Sequence, residues 1–169
     1  MATNEEHLLD WLRDAHAMEQ QAETMMTAMC ERIENYPPVR DKLREHIAET
    51  RAQAQRLESC LARLGGDTST LKDIAGRATA FGQGLGGMFV SDEIIKGALA
   101  SFAFENMEIA SYTILIAAAD AVGDAETRDL CEQSLREEQA MAAWLAEHLP
   151  ALTKKYLVRD EVMEEGGKR

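Results

Sequence analysis

The sequence contains few of the residues that interrupt helices. Only three of its 169 residues are proline, and aromatic residues make up 5%. The remaining chain has long stretches rich in Ala, Leu, Glu, Arg and Gln, which all have high helix propensity. A chain of this length forms one compact domain more readily than two. We therefore predict a single all-α domain.

Cysteine is also scarce, and its spacing excludes two kinds of site. Cys30, Cys60 and Cys131 are far apart in the chain, and none belongs to a Cys-x-x-Cys pair. A zinc site built on thiolates, or an activated thiol nucleophile, requires a clustering that this spacing does not show. We expect three reduced cysteines that lie in or near the core.

Basic residues and long apolar runs are lacking as well. The chain has 18 Lys and Arg against 30 Asp and Glu, a net charge of -12, so it lacks the basic patch that nucleic-acid binding needs. No apolar run approaches the roughly 20 residues that span a bilayer. The first residues, Met-Ala-Thr-Asn-Glu-Glu, have neither the basic nor the apolar region of a secretion signal. We expect a cytoplasmic protein that binds neither nucleic acid nor membrane.

Hydrophobic periodicity and helix-ending residues predict four long helices and one short one. The predicted helices cover residues 4–35, 38–64, 91–121 and 125–148, followed by a short C-terminal helix over 151–158 that starts after Pro150. A crossover of about 25 residues, with a short helix over 69–80, joins the second helix to the third. We place the domain at residues 1–160 and expect the acidic tail, 161–169, to be disordered.

Glutamates interrupt the apolar stripes of these helices. In the third helix the stripe runs Ala98, Phe102, Glu105, Ile109, Tyr112, and Glu108 lies one turn from Glu105. Glu19 and Glu138 occupy similar positions in the first and fourth helices, whereas Glu49 lies at the edge of the second stripe, three residues after His46. A buried unpaired carboxylate costs several kcal/mol, so a proton, a basic side chain or a metal ion must compensate it.

The glutamates also recur at a constant separation. Glu19 and Glu49 are 30 residues apart, as are Glu108 and Glu138, so the chain resembles two copies of one helical hairpin. When the first hairpin is aligned with the second, His16 falls at the position of Glu105. Four mid-helix glutamates match a carboxylate-bridged two-metal site in a four-helix bundle, and oxygen donors with imidazole suit iron or manganese.

The predicted site has two groups of residues. The candidate metal ligands are Glu19, Glu49, Glu105, Glu108, Glu138 and His46. His16, Gln53 and Tyr112 are expected around these ligands, where they hydrogen-bond to the ligands or pack beside them.

Four motifs in this region resemble those of a known family. They are Leu12-Arg-Asp-Ala-His-Ala-Met-Glu19-Gln, His46-Ile-Ala-Glu49-Thr-Arg-Ala-Gln53, Phe104-Glu105-Asn-Met-Glu108-Ile-Ala-Ser-Tyr112 and Leu135-Arg-Glu-Glu138. Over residues 8–157 the chain resembles the YciE/YciF-like branch of the ferritin-like superfamily, bacterial stress-associated proteins often described as ferroxidases. The resemblance implies a ferritin-like four-helix bundle that binds two iron ions. It also implies oxidation by dioxygen or peroxide, with a role in iron or peroxide detoxification.

An interpretation without catalysis remains open. The chain would then be a helical stress protein whose inward glutamates are protonated, or paired with Arg13, Lys42 or Arg136. Under either interpretation we expect a homodimer, because the sequence shows no further helix of the kind with which cage-forming ferritins assemble.

Overall fold

The chain folds as four helices. The computed structural model describes residues 1–65 and 93–166, and within these ranges it contains α1 (Asn4–Arg32), α2 (Pro37–Arg63), α3 (Glu93–Val122) and α4 (Ala125–Gly166), with no strand. The most extensive contacts are α1 with α2, α3 with α4, α1 with α3, and α2 with α4. Each helix therefore packs on two neighbours, which confirms the predicted all-α four-helix bundle.

Local sequence explains most of the helix ends. Thr3 caps α1 in a capping box, in which the Glu6 backbone N–H donates to Thr3 Oγ1 at 3.2 Å and the Thr3 N–H donates to the Glu6 carboxylate at 2.7 Å. Helix α2 begins with Pro37, which needs no helical hydrogen-bond partner at that position. Gly123, with φ of 75°, allows the chain to turn from α3 into α4. Helix α1 ends at Arg32, three residues before the predicted end.

The predicted short C-terminal helix is wrong as a separate element. Helix α4 continues through Pro150 and ends at Gly166. Proline removes one helical hydrogen bond and can bend a helix without ending it. Here Leu149 and Leu152, on either side of the proline, both pack against one apolar cluster, so their burial holds the backbone helical across Pro150. The backbone at 161–166 is therefore helical where we predicted a disordered tail.

Some predictions fall outside the described residues. The crossover with its helix over 69–80 lies in the range 66–92, and the end of the tail lies in 167–169. The domain boundary at residue 160 also stays a prediction.

Two apolar clusters fill the bundle, one on each side of a polar middle layer. The first includes Met26, Leu43, Phe104, Met141 and Leu145. The second includes Leu12, Leu57, Tyr112, Leu115 and Cys131. Along every helix the inward glutamate or histidine lies between residues of these two clusters. The bundle is thus an ordinary core at both ends, and its two ends hold the middle layer away from water.

The cysteines are as predicted, since all three are free, with Cys60 and Cys131 buried and Cys30 half-buried. Among the four described helices, none is both long enough and apolar enough to cross a membrane.

Candidate metal centre

Seven polar side chains from all four helices meet in the middle layer. Each is at most 2% exposed. Helix α1 contributes Glu19, α2 contributes His46 and Gln53, α3 contributes Glu105, Glu108 and Tyr112, and α4 contributes Glu138. All seven were singled out in the sequence, because their helical spacing placed them on inward faces.

His46 lies at the centre of a closely spaced group that also contains Glu105 and Glu138. Its Nε2 atom is 3.0 Å from Glu105 Oε2 and 3.4 Å from Glu138 Oε2. One ligand atom from each of these residues lies within 4.8 Å of the other two, a spacing that allows all three to hold one metal ion. The other ring nitrogen, Nδ1, is 2.8 Å from Glu49 Oε2. A carboxylate on the second nitrogen of a metal-binding histidine fixes the orientation of its ring.

Several buried atoms of this layer have no hydrogen-bond partner among the described residues. They are Glu19 Oε2, His46 Nε2, Gln53 Oε1, Glu105 Oε2, Glu108 Oε1 and Glu138 Oε2. His46 Nε2 is therefore close to the Glu105 and Glu138 oxygens, but the angles are not those of a hydrogen bond. Buried polar atoms are nearly always satisfied in native proteins, so six in one layer make this layer a candidate binding site. Five are carboxylate or imidazole atoms, a donor set that fits iron or manganese.

Burial makes most of the carboxylates difficult to ionise. It raises the pKa of Glu19 well above 4.5, helped by the charge of Glu138. It also raises the pKa of Glu108, helped by the charge of Glu19. The pKa of Glu105 rises to about 8, because burial outweighs the opposing contact with His46. Without a cation, these three glutamates therefore hold their protons to a higher pH than a free glutamate does.

His46 and Glu138 form the ionised pair of the layer. Burial opposes protonation of His46, but the neighbouring Glu105 and Glu138 carboxylates outweigh it and raise the pKa to about 11. Burial likewise opposes ionisation of Glu138, but its contacts with His46 and Glu105 lower the pKa below 4.5. The positive charge of the protonated His46 imidazole therefore balances the negative charge of the Glu138 carboxylate.

Two further side chains hold the carboxylates in place. The Tyr112 hydroxyl donates to Glu19 Oε1 at 2.5 Å, which links α3 to α1. Gln53 Nε2 donates to Glu138 Oε1, which links α2 to α4. Both residues were predicted to lie beside the candidate ligands, and both are buried in this layer.

An ion pair at the α2–α4 contact was not predicted. Arg56 donates to both carboxylate oxygens of Glu137, at 2.6 and 2.8 Å, and to Ser134 Oγ at 3.0 Å. Glu137 also accepts from Gln53 at 3.1 Å, so the pair reaches the middle layer through this amide. We interpreted Glu137 as solvent-facing, but its side chain is only 21% exposed. Arg56 lies one turn after Gln53 on the same side of α2, but helical phase alone does not show that Glu137 of α4 faces it.

Glu49 and His16 lie less centrally than the hairpin superposition predicts. The Glu49 side chain is 32% exposed and meets the layer only through His46 Nδ1. His16 is buried, but its Nε2 atom lies 3.0 Å from Oε1 of Glu58, whose side chain is 51% exposed. Glu49 therefore contacts the ring nitrogen of His46 that does not approach Glu105 and Glu138, and His16 contacts Glu58, an exposed residue of α2.

The predicted basic partners of the inward glutamates contact other acids. The contacts are Arg13 with Asp10 at 2.7 Å, Lys42 with Glu45 at 3.1 Å and Arg136 with Glu132 at 3.9 Å. Each pair lies within one helix and near the surface. Within the described residues, these three basic side chains therefore do not compensate the charge of the layer.

Comparison with known proteins identifies the family. The chain is similar to a Xanthomonas campestris protein of solved structure, with 36% identity, a TM-score of 0.80 and coverage of 95% of this chain and 99% of that one. It is also similar to YcfI, a proposed structural protein from Rhodopseudomonas palustris, with 28% identity, a TM-score of 0.68 and coverage of 86% and 94%. The family model described as "Domain of unknown function (DUF892)" matches residues 3–158, so the chain belongs to the DUF892 family.

Proposed function

We propose that this protein is a ferritin-like carboxylate protein that binds two iron ions, or manganese in their place, and acts as a ferroxidase or peroxide-detoxifying oxidoreductase. The observation that carries the proposal is the group of unpartnered atoms in the buried layer. The proposed ligands are Glu19, His46, Glu105, Glu108 and Glu138. Glu49 acts through His46, whose ring it orients.

The number of ions follows from charge. Two divalent cations bring four positive charges, and the layer holds four buried glutamates. Deprotonation of these carboxylates, with His46 neutral, gives a neutral centre, which is the condition for burying ions at low cost. A single divalent cation would leave two carboxylates protonated or uncompensated.

The protein's own side chains prepare the centre for this chemistry. Bound iron would supply redox chemistry toward dioxygen or peroxide. Tyr112 and Gln53 orient Glu19 and Glu138 through hydrogen bonds. The two apolar clusters exclude bulk water from both ends of the layer. Glu19, Glu105, Glu108 and His46 release their protons on loading, so cation binding strengthens as pH rises.

The resemblance of the four sequence motifs to the YciE/YciF-like branch supports the ferritin-like assignment. It also supports a role in the response to stress.

A second candidate function is structural. The metal-free layer is electrically balanced, because three glutamates are protonated and His46 pairs with Glu138. One similar protein, YcfI, is described as a proposed structural protein. Under this alternative the protein is a helical bundle without catalysis, and no metal binds in stoichiometric amounts.

Titration of metal-stripped protein with Fe(II) under anaerobic conditions separates the two candidates. We expect saturation at two irons per chain, then an increase in near-ultraviolet absorbance on exposure to air. The Glu108→Gln variant, which keeps the shape of the protonated side chain, should lose both signals. Glu45→Gln is the matched control, since Glu45 is 62% exposed. Wild-type binding no stronger than that of Glu108→Gln would favour the structural alternative.

A further inference from the structure

The ion pair of Arg56 and Glu137 lies at the rim of the middle layer, where α2 meets α4. Two guanidinium nitrogens of Arg56 donate to the two carboxylate oxygens of Glu137, at 2.6 and 2.8 Å. Both side chains are half-buried, at 16% and 21% exposure, so water and salt screen this pair less than a surface pair. Bidentate contact fixes the plane of a carboxylate as well as its position. Glu137 is therefore held in one orientation.

The oriented carboxylate of Glu137 contacts the side-chain amide of Gln53. The two hydrogens on Gln53 Nε2 have two carboxylate acceptors, Glu137 Oε2 at 3.1 Å and Glu138 Oε1. Rotation of the amide by 180° would turn its oxygen toward both acids and replace two attractive contacts with two repulsive ones. Glu137 and Glu138 together therefore determine which way the buried amide points.

The amide in turn leaves one oxygen of Glu138 for a cation. Glu138 Oε1 accepts from Gln53, whereas Oε2 lies 3.4 Å from His46 Nε2 and has no hydrogen-bond partner among the described residues. A group that hydrogen-bonds to a metal ligand sets the direction from which that ligand meets the ion. The orientation of Glu138 thus depends on the amide, and the orientation of the amide depends on Glu137.

We propose that Arg56 and Glu137 are positioning residues of the candidate metal centre. Arg56 holds Glu137, Glu137 holds the Gln53 amide, and the amide holds Glu138 with Oε2 beside His46. The inference rests on the proposed function, because it gives these two residues a role at the same centre.

The chain contains an ion pair of the same kind that does not contact the layer. Arg63 of α2 donates to both carboxylate oxygens of Asp124, at 2.6 and 2.7 Å, and to Thr127 in the first turn of α4. It lies seven residues after Arg56, which is about 10 Å along the helix. Removal of Arg63 therefore measures what a lost contact between α2 and the start of α4 does by itself.

Nuclear magnetic resonance of the Gln53 amide tests the positioning in metal-stripped protein. Gln53→Met identifies the two amide protons, because it removes their signals. In the wild type both protons should be shifted downfield and should exchange slowly, since each donates to a carboxylate in a buried layer. Arg56→Met should shift these protons upfield and accelerate their exchange, whereas Arg63→Met should leave them unchanged. Unchanged Gln53 signals in Arg56→Met would overturn the proposal, whether or not the protein binds metal.

Metal affinity tests the consequence for Glu138. In calorimetry, Mn(II) affinity should fall about tenfold in Arg56→Met, as for other groups that orient a metal ligand. Arg56→Lys should recover part of it, because lysine keeps the charge and loses the bidentate contact. Arg63→Met should stay within about twofold of wild type, since distant sites with no shared partner act independently.

The same titrations separate two kinds of failure. Mn(II) binding that is as strong in Arg56→Met as in Arg63→Met would overturn this inference and leave the proposed function intact. Absence of Mn(II) binding by the wild-type chain would contradict the proposed function, and the Gln53 signals would still decide whether Arg56 orients the amide.

Discussion

The two helical hairpins of the bundle contribute unequally to the candidate metal centre. The second hairpin, α3 and α4, supplies three buried carboxylates, from Glu105, Glu108 and Glu138. The first, α1 and α2, supplies one buried carboxylate, from Glu19, together with His46 and Gln53. The positions that correspond to Glu105 and Glu138 by the 89-residue shift are His16 and Glu49, and neither lies among the buried carboxylates.

The difference shows which sequence signal sets the depth of a side chain. Equal separations of 30 residues predict that Glu49 and Glu138 are equivalent. The apolar stripe of α2 instead runs through His46, Thr50, Gln53 and Leu57, which leaves Glu49 at its edge. The structure follows the stripe, because burial depends on the angle around the helix and not on distance along the chain.

The largest expected difference between the hairpins is in stability without metal. Glu138→Ala removes a buried carboxylate that lies 3.4 Å from His46 Nε2 and should lower the free energy of unfolding by about 3–5 kcal/mol, the cost of breaking a buried ion pair. Its counterpart Glu49→Ala should cost about 1 kcal/mol or less, because Glu49 is 32% exposed. Urea unfolding of metal-stripped protein measures both values. Equal losses would show that the hairpins contribute alike.

Stability should also respond to pH in opposite directions with and without metal. The pKa values of Glu19, Glu105 and Glu108 are raised above 4.5, so above pH 4.5 the unfolded chain loses protons that the fold keeps. His46 adds the same effect above pH 6.5. Each such group lowers the unfolding free energy by up to about 1.4 kcal/mol per pH unit. The metal-free melting temperature should therefore fall from pH 5 to pH 8.

Bound metal reverses this dependence, because its ligands must be deprotonated. The increase in melting temperature on adding Mn(II) should grow between pH 5 and pH 7.5. Glu108→Gln should weaken the metal-free pH dependence, because it removes one of the carboxyl groups whose pKa is raised. A metal-free melting temperature that rises over this range would contradict the raised pKa values of these buried side chains.

Helical phase made the fold and the buried polar layer predictable. Four helices, their order and seven buried polar residues follow from the spacing of apolar residues and from helix ends at Pro37 and Gly123. The Arg56–Glu137 pair was missed because both residues lie at the rim, where phase does not decide between solvent and a neighbouring helix. Continuation of α4 through Pro150 depends on packing of Leu149 and Leu152, a tertiary effect that local sequence does not show.

A smaller effect tests the link between the hairpins. Tyr112→Phe removes the hydroxyl that donates to Glu19 at 2.5 Å and leaves a buried carboxylate oxygen without its donor. The expected loss is about 1–3 kcal/mol in metal-free unfolding, with the helical content unchanged. Leu115→Ala, a cavity variant from the same apolar cluster, shows the effect of lost packing alone. If Tyr112 orients Glu19, Tyr112→Phe should weaken Mn(II) binding more than Leu115→Ala does. An equal loss of Mn(II) affinity in both variants would show that Tyr112 contributes through packing alone.

The smallest effect is expected at the pair formed by His16, the counterpart of Glu105. Glu58→Gln alters the partner of His16 Nε2, and Glu58 is 51% exposed, so the loss of stability should be about 0.5 kcal/mol or less. Mn(II) affinity, measured by calorimetry, should stay within about twofold of wild type, whereas Glu105→Gln should abolish measurable binding because it removes a carboxylate 3.0 Å from His46 Nε2. A tenfold loss of affinity in Glu58→Gln would instead couple His16 to the centre. His16 of the first hairpin would then act on the metal site as Glu105 of the second hairpin does. The two hairpins would use equivalent positions and would differ only in the type of side chain at those positions.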